Sequence, residues 1–205
     1  RDLRVSLTDR CNLRCSYCMP PEGLDWLPTE ETLTDAEVVR LVRIGVERLG
    51  IRQVRFTGGE PLLRRGLEGI IAECSQLRTD EGQTPDLALT TNALGLAKRA
   101  QGLRDAGLDR VNISLDSLDR EHYAAITRRD RLGDVLEGIE AAARAGLSPI
   151  KVNTLVLRGM NEADLPDLVD YCLDRGIELR VIEQMPIGPV DTWDRQSILT
   201  ADEIL

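Results

Sequence analysis

Hydrophobic positions along this chain follow two alternating periods. Short runs rich in Val, Ile and Leu, apolar at every second position or nearly continuous, read as strands. Longer stretches with apolar residues three and four apart read as amphipathic helices. The pattern predicts strands over 3–7, 53–57, 87–91, 110–115, 149–157 and 177–182. Between and after them it predicts helices over 34–49, 62–77, 94–106, 119–126, 132–145 and 162–175. Thr34 is placed to N-cap the first helix, Glu37 completes a capping box, and Gly50 ends it.

Strand–helix alternation repeated six times implies a parallel sheet with right-handed crossovers. An open doubly wound sheet and a partial barrel both satisfy it. Thr57-Gly58-Gly59-Glu60, Thr90-Thr91-Asn92, Ser114-Leu115-Asp116-Ser117 and Glu183 fall at or just past strand C-terminal ends. In barrels that end carries the chemistry. The expected fold is therefore α/β, an incomplete (β/α)6 barrel of parallel strands. It is expected to occupy 1–190, with 191–205 opening a C-terminal region. The chain starts without Met at strand-like residues and stops inside a helical pattern, so it reads as a piece of a longer protein.

Composition narrows the function. With 42% apolar and 3% aromatic residues, the core must be aliphatic. The net charge is −9, which argues against a general nucleic-acid surface because phosphate neutralisation needs excess Lys and Arg. A local basic pocket for a small phosphorylated ligand is compatible with it. No run approaches the roughly eighteen apolar residues of a membrane span, and no signal-peptide core opens the chain, so a cytoplasmic location without membrane contact is expected.

Three of the five cysteines lie within eight residues, as Cys11-x-x-x-Cys15-x-x-Cys18 directly after the first strand. Three thiolates that close repel one another unless a cation compensates, so the spacing points to metal. A structural zinc site wants four ligands. Cys74 and Cys172 sit in apolar helical patterns and His122 in a separate segment, so a zinc knob would need a remote fourth ligand. A [4Fe–4S] cluster held by three thiolates leaves one iron open, as catalysis requires. Cys74 and Cys172 are expected to be small buried hydrophobes.

The cysteine loop resembles the signature of radical S-adenosylmethionine enzymes, in which the open iron chelates the methionine end of the cofactor. Reduction then releases a 5′-deoxyadenosyl radical. Thr57-Gly58-Gly59-Glu60-Pro61 is similar to that family's motif for the methionine amino group, and Tyr17 to the aromatic beside the adenine. The resemblance extends through Leu3–Cys15, Val54–Arg65, Val111–Leu118, Ile150–Thr154 and Arg180–Pro186 to the GTP 3′,8-cyclases, lyases of molybdenum cofactor biosynthesis. It implies Tyr17, Gly59, Ser114 and Met185 as S-adenosylmethionine contacts, and Arg4, Arg55, Thr90 and Lys151 as GTP contacts. Charges on hydrophobic strands are costly unless paired, and a triphosphate would pair them. It further implies a reducing electron donor, a homodimer as one option for assembly, and a second [4Fe–4S] cluster. The cysteines for that cluster are absent from these residues, and Ala93 stands where the family commonly has Gly. Another radical enzyme, modifying a peptide or a different small molecule, is the alternative.

Overall fold

The computed structural model describes residues 1–185 and 198–204. Six strands, β1 (Asp2–Ser6), β2 (Gln53–Thr57), β3 (Asp86–Thr91), β4 (Arg110–Ser114), β5 (Ile150–Leu155) and β6 (Glu178–Ile182), form one parallel sheet in the spatial order of the sequence. A doubly wound sheet would reverse order at a switch point. Sequential order with right-handed crossovers instead puts every helix on one face and lets the sheet curl toward closure. Among the described residues β1 and β6 do not pair, so the barrel is incomplete, as expected.

The helices are α1 (Asp35–Leu49), α2 (Leu67–Ser75), α3 (Leu96–Asp105), α4 (Arg120–Thr127), α5 (Leu132–Arg144), α6 (Leu165–Asp174) and the short α7 (Ala201–Ile204). The Thr34 capping box of α1 forms in both directions, and left-handed Gly50 closes the helix. This cap contributes about 1 kcal/mol. Val38, Val42 and Val46 of α1 pack with Val54 and Phe56 of β2 and Leu87 and Leu89 of β3 in the aliphatic core between helices and sheet. Cys74 and Cys172 are fully buried within it.

One predicted helix is broken in two. The single helix expected over 62–77 is a 3₁₀ turn, Pro61–Leu63, followed by α2 from Leu67. Arg64 explains the break, because its guanidinium is drawn away to donate to the Leu7 and Leu33 carbonyls and to Asp35. The boundary expected at residue 190 lies outside the described residues. Among those described, no helix is long and apolar enough to cross a membrane.

Strand alternation leaves the inner face of the sheet polar. Val111 and Ile113 of β4 point to the helices, while Arg110, Asn112 and Ser114 take the opposite face. The same phase puts Arg4, Arg55, Thr90, Lys151, Asn153, Glu178 and Arg180 in the lumen.

Candidate active site

The cysteine loop sits over the C-terminal end of the barrel because backbone bonds tie it down on two sides. The Gly59 and Glu60 amides donate to the Thr8 and Arg10 carbonyls, each at 2.7 Å. Across the loop, the Arg14 and Ser16 amides donate to the Thr127 and Ile126 carbonyls at the end of α4. Arg128, left-handed at φ 54, donates to the Arg14 and Met19 carbonyls.

Gly58 and Gly59 are explained first by this junction. A Cβ on Gly59 would lie 2.3 Å from the Arg10 carbonyl oxygen, and one on Gly58 2.3 Å from that of Thr8. Both contacts are with backbone, so neither position accepts a side chain without moving the cysteine loop. Glu60, read from sequence only as part of the motif, is wholly buried. Its carboxylate accepts from the Leu62 and Asn92 amides and the Thr91 hydroxyl, which fastens the loop to β3. Burial raises its pKa against those bonds. Asn92 continues the chain: its side-chain Nδ2 donates to Asn12 at 2.8 Å and reaches the Cys11 sulfur at 3.9 Å.

Cys11, Cys15 and Cys18 line one cavity of about 200 Å³ together with Tyr17, Gly59, Thr90, Ser114 and Asp116. It opens into a second cavity of about 350 Å³ that shares Tyr17, Cys18, Thr90, Ser114 and Asp116 and adds Arg4 and Met185. Among the described residues, no three His, Cys, Asp or Glu side chains gather onto one point as ligands of a single ion would. The three thiols are spaced around a cavity, which suits a larger group such as an iron–sulfur cluster. Burial pushes all three thiols up, Cys15 to about 12, with Asp116 adding to the shift at Cys15. A cluster bound there would supply the positive charge that holds them as thiolates.

Of the four residues proposed for GTP, Arg4 and Thr90 open on the cavity beside the cysteines. Arg55 and Lys151 line a separate polar cavity of about 570 Å³ at the N-terminal ends of the strands, with Arg110 and Arg180. A narrower space at the starts of β1 and β2 is lined by Asp2, Arg4, Arg55 and Arg110. The four residues are strung along the lumen and do not cluster at the catalytic end. Their pairing also differs from residue to residue. Lys151 is held by Glu178 at 2.6 Å, a partner set by strand register, and Arg110 makes a two-pronged pair with Asp86. Arg55 has a buried Nε without a hydrogen-bond partner among the described residues. Burial, then the Arg110, Arg4 and Arg180 charges, push its guanidinium below the ordinary value.

Asn92 and Asp116 were read from sequence only as members of polar segments at strand ends, and Arg110 only as the start of a strand; none was given a role. Asp116 is the most telling, since it lies in the apolar run Ile113-Ser114-Leu115-Asp116, where a charge needs partners.

A profile of the Radical SAM superfamily matches residues 5–172. The chain belongs to the radical SAM superfamily. That membership implies a [4Fe–4S] cluster and S-adenosylmethionine. The chain is 64% identical over its whole length to a GTP 3′,8-cyclase of Corynebacterium glutamicum, covering 54% of that protein. It is 58% identical over 204 residues to a GTP 3′,8-cyclase of Mycobacterium marinum, covering 56% of it. It thus spans about half the length of these curated relatives. Among solved structures, anSMEcpe with bound AdoMet superposes at a TM-score of 0.72 over 90% of this chain and 51% of that one, at 18% identity. Streptococcus suis SuiB bound to its precursor peptide gives 0.71 over 90% and 39%, also at 18% identity. At such identities the likeness is one of fold.

Proposed function

We propose that this protein is a GTP 3′,8-cyclase, a lyase that converts GTP to 3′,8-cyclo-7,8-dihydro-GTP in the first step of molybdenum cofactor biosynthesis. The observation that carries the reading is Arg55. A half-buried guanidinium whose buried Nε has no partner among the described residues, set among the Arg110, Arg4 and Arg180 charges, favours an anion in the lumen. A triphosphate supplies that anion, and the relatives of highest identity named above are GTP 3′,8-cyclases.

In this reading Cys11, Cys15 and Cys18 hold a [4Fe–4S] cluster whose fourth iron is free for S-adenosylmethionine. Bound there and reduced, the cofactor supplies a 5′-deoxyadenosyl radical. Gly59, with its amide committed to Thr8, presents a bare backbone edge beside the methionine end. Tyr17 and Ser114 wall the adenosyl side, and Met185 borders the outer cavity. Arg4 and Thr90 face the ribose end of GTP, while Arg55 and Lys151 draw the phosphates down the lumen. Lys151 then exchanges Glu178 for phosphate oxygen, so Glu178 keeps the cation in place until substrate arrives. A second [4Fe–4S] cluster, a reducing electron donor, homodimer assembly and a cytoplasmic location complete the proposal.

The test is turnover by full-length protein, reduced anaerobically with S-adenosylmethionine. GTP should be consumed as 5′-deoxyadenosine and methionine are released. Release of 5′-deoxyadenosine with GTP left intact would overturn the substrate and leave the superfamily assignment standing.

A further inference from the structure

Asp116 is a carboxylate of the cavity that joins Tyr17 of the cysteine loop to the barrel. It lies just past β4 and is 6% exposed. One carboxylate oxygen accepts from the Tyr17 hydroxyl at 2.8 Å, the other from the Leu155 amide at 2.8 Å. Its own carbonyl accepts from Asn161, whose amide group also donates to the Leu155 carbonyl. Asn161 is itself buried, and its side-chain oxygen accepts from the Leu157 amide. Asp116 is thus fixed between the ends of β4 and β5 by bonds independent of the cysteine loop, and it offers one free oxygen to that loop.

Tyr17 takes that oxygen. It stands between Cys15 and Cys18, and a chain segment holding a metal group has several ways to turn an aromatic ring. A tyrosine ring tethered at its hydroxyl has one. The carboxylate is costly to bury, so its presence beside the cofactor cavity calls for a specific task.

We propose that Asp116 is a positioning residue that acts through the Tyr17 hydroxyl to hold the aromatic ring as the adenosyl wall of the cofactor cavity. The proposal rests on the reading of Tyr17 as a cofactor contact. It goes beyond that reading by assigning the orientation of the ring to a barrel residue. Asn161 serves the same end by fixing Asp116.

The experiment measures S-adenosylmethionine affinity of anaerobically reconstituted full-length protein by equilibrium dialysis, with iron content determined on each sample. Tyr17→Phe, Asp116→Asn and the double variant are compared. Loss of a hydrogen bond to a charged group corresponds to about a tenfold loss of affinity. Tyr17→Phe should weaken binding about tenfold with iron unchanged, and Asp116→Asn by several-fold. The double variant should bind no worse than Tyr17→Phe alone, since both changes remove one interaction. Multiplicative losses in the double variant would overturn the proposal. So would loss of iron on Asp116→Asn, which would make the residue a support of the cluster loop. Wild-type affinity in Tyr17→Phe, which removes only the oxygen, would overturn it however Asp116→Asn behaves. A wild-type protein that carries the cluster yet binds no cofactor would instead sink the cofactor reading, and this proposal with it.

Discussion

Replacing Gly59 by Ala should detach the cysteine loop from β2. The added Cβ would lie 2.3 Å from the Arg10 carbonyl oxygen and 2.4 Å from that of Asp9. Neither atom belongs to a flexible side chain, so the backbone must separate by about 1 Å to reach ordinary contact. That movement strains or breaks the Gly59–Thr8 and Glu60–Arg10 hydrogen bonds. Overpacking costs about 1–3 kcal/mol, and each lost bond about 0.5–1.5 kcal/mol. Together they give roughly 2–6 kcal/mol, a large share of the ~5–15 kcal/mol that stabilises a domain. Gly69, exposed within α2, is the internal control. A Cβ there meets nothing within 4 Å, so Gly69→Ala should stabilise by about 0.5–1 kcal/mol. Urea denaturation followed by circular dichroism should show the Gly59→Ala midpoint falling and the Gly69→Ala midpoint rising. Iron uptake should fail only in the former. A Gly59→Ala protein with the wild-type midpoint and full iron would refute the reasoning.

Cys11→Ala, Cys15→Ala and Cys18→Ala should each abolish a cluster of about four iron and four sulfide, whereas Cys74→Ala and Cys172→Ala should retain it by iron analysis. Arg55→Leu should hold or raise the thermal midpoint of the protein without GTP, because it removes a half-buried cation set among the Arg110, Arg4 and Arg180 charges, while weakening GTP binding by about tenfold or more in calorimetry. A lowered midpoint would contradict this. His122 is the only histidine, and the hydrogen bond it donates to the Asp164 carboxylate raises its pKa. The stabilisation from this pair is complete below pH 6.5 and disappears as pH rises through the higher folded-state pKa. Its imidazole NMR resonance should titrate above 6.5, and Asp164→Asn should bring the midpoint down.

The strands were legible because Val, Ile and Leu alternate with polar residues over their whole length. The order Gln53-Val54-Arg55-Phe56-Thr57 places its own residues on two faces. Capping made α1 legible to the residue, since Thr34, Glu37 and Gly50 act locally. The break before α2 was not legible, because it comes from Arg64 reaching to Leu7, Leu33 and Asp35, all distant in sequence. Register hid the pairing of Lys151, whose partner Glu178 lies opposite only once β5 and β6 are aligned. Gly59 was read as a cofactor contact. The structure adds a nearer demand, the Arg10 carbonyl, that no local pattern reveals. Ala93, noted where relatives of the cyclase type commonly have Gly, is left-handed at φ 64 and fully buried. Gly138 of α5 makes room for it, because a Cβ there would meet the Ala93 carbonyl oxygen at 2.9 Å.

The central claim is that a radical generated beside Cys11, Cys15 and Cys18 acts on GTP held along the Arg4–Arg55–Lys151 lumen. Full-length protein, reconstituted and reduced, is given S-adenosylmethionine and GTP deuterated at the ribose 3′ position. Mass spectrometry of the released 5′-deoxyadenosine reads the outcome. One deuterium per molecule in the 5′-deoxyadenosine is the predicted result; unlabelled 5′-deoxyadenosine, with cluster intact and GTP bound, would contradict it.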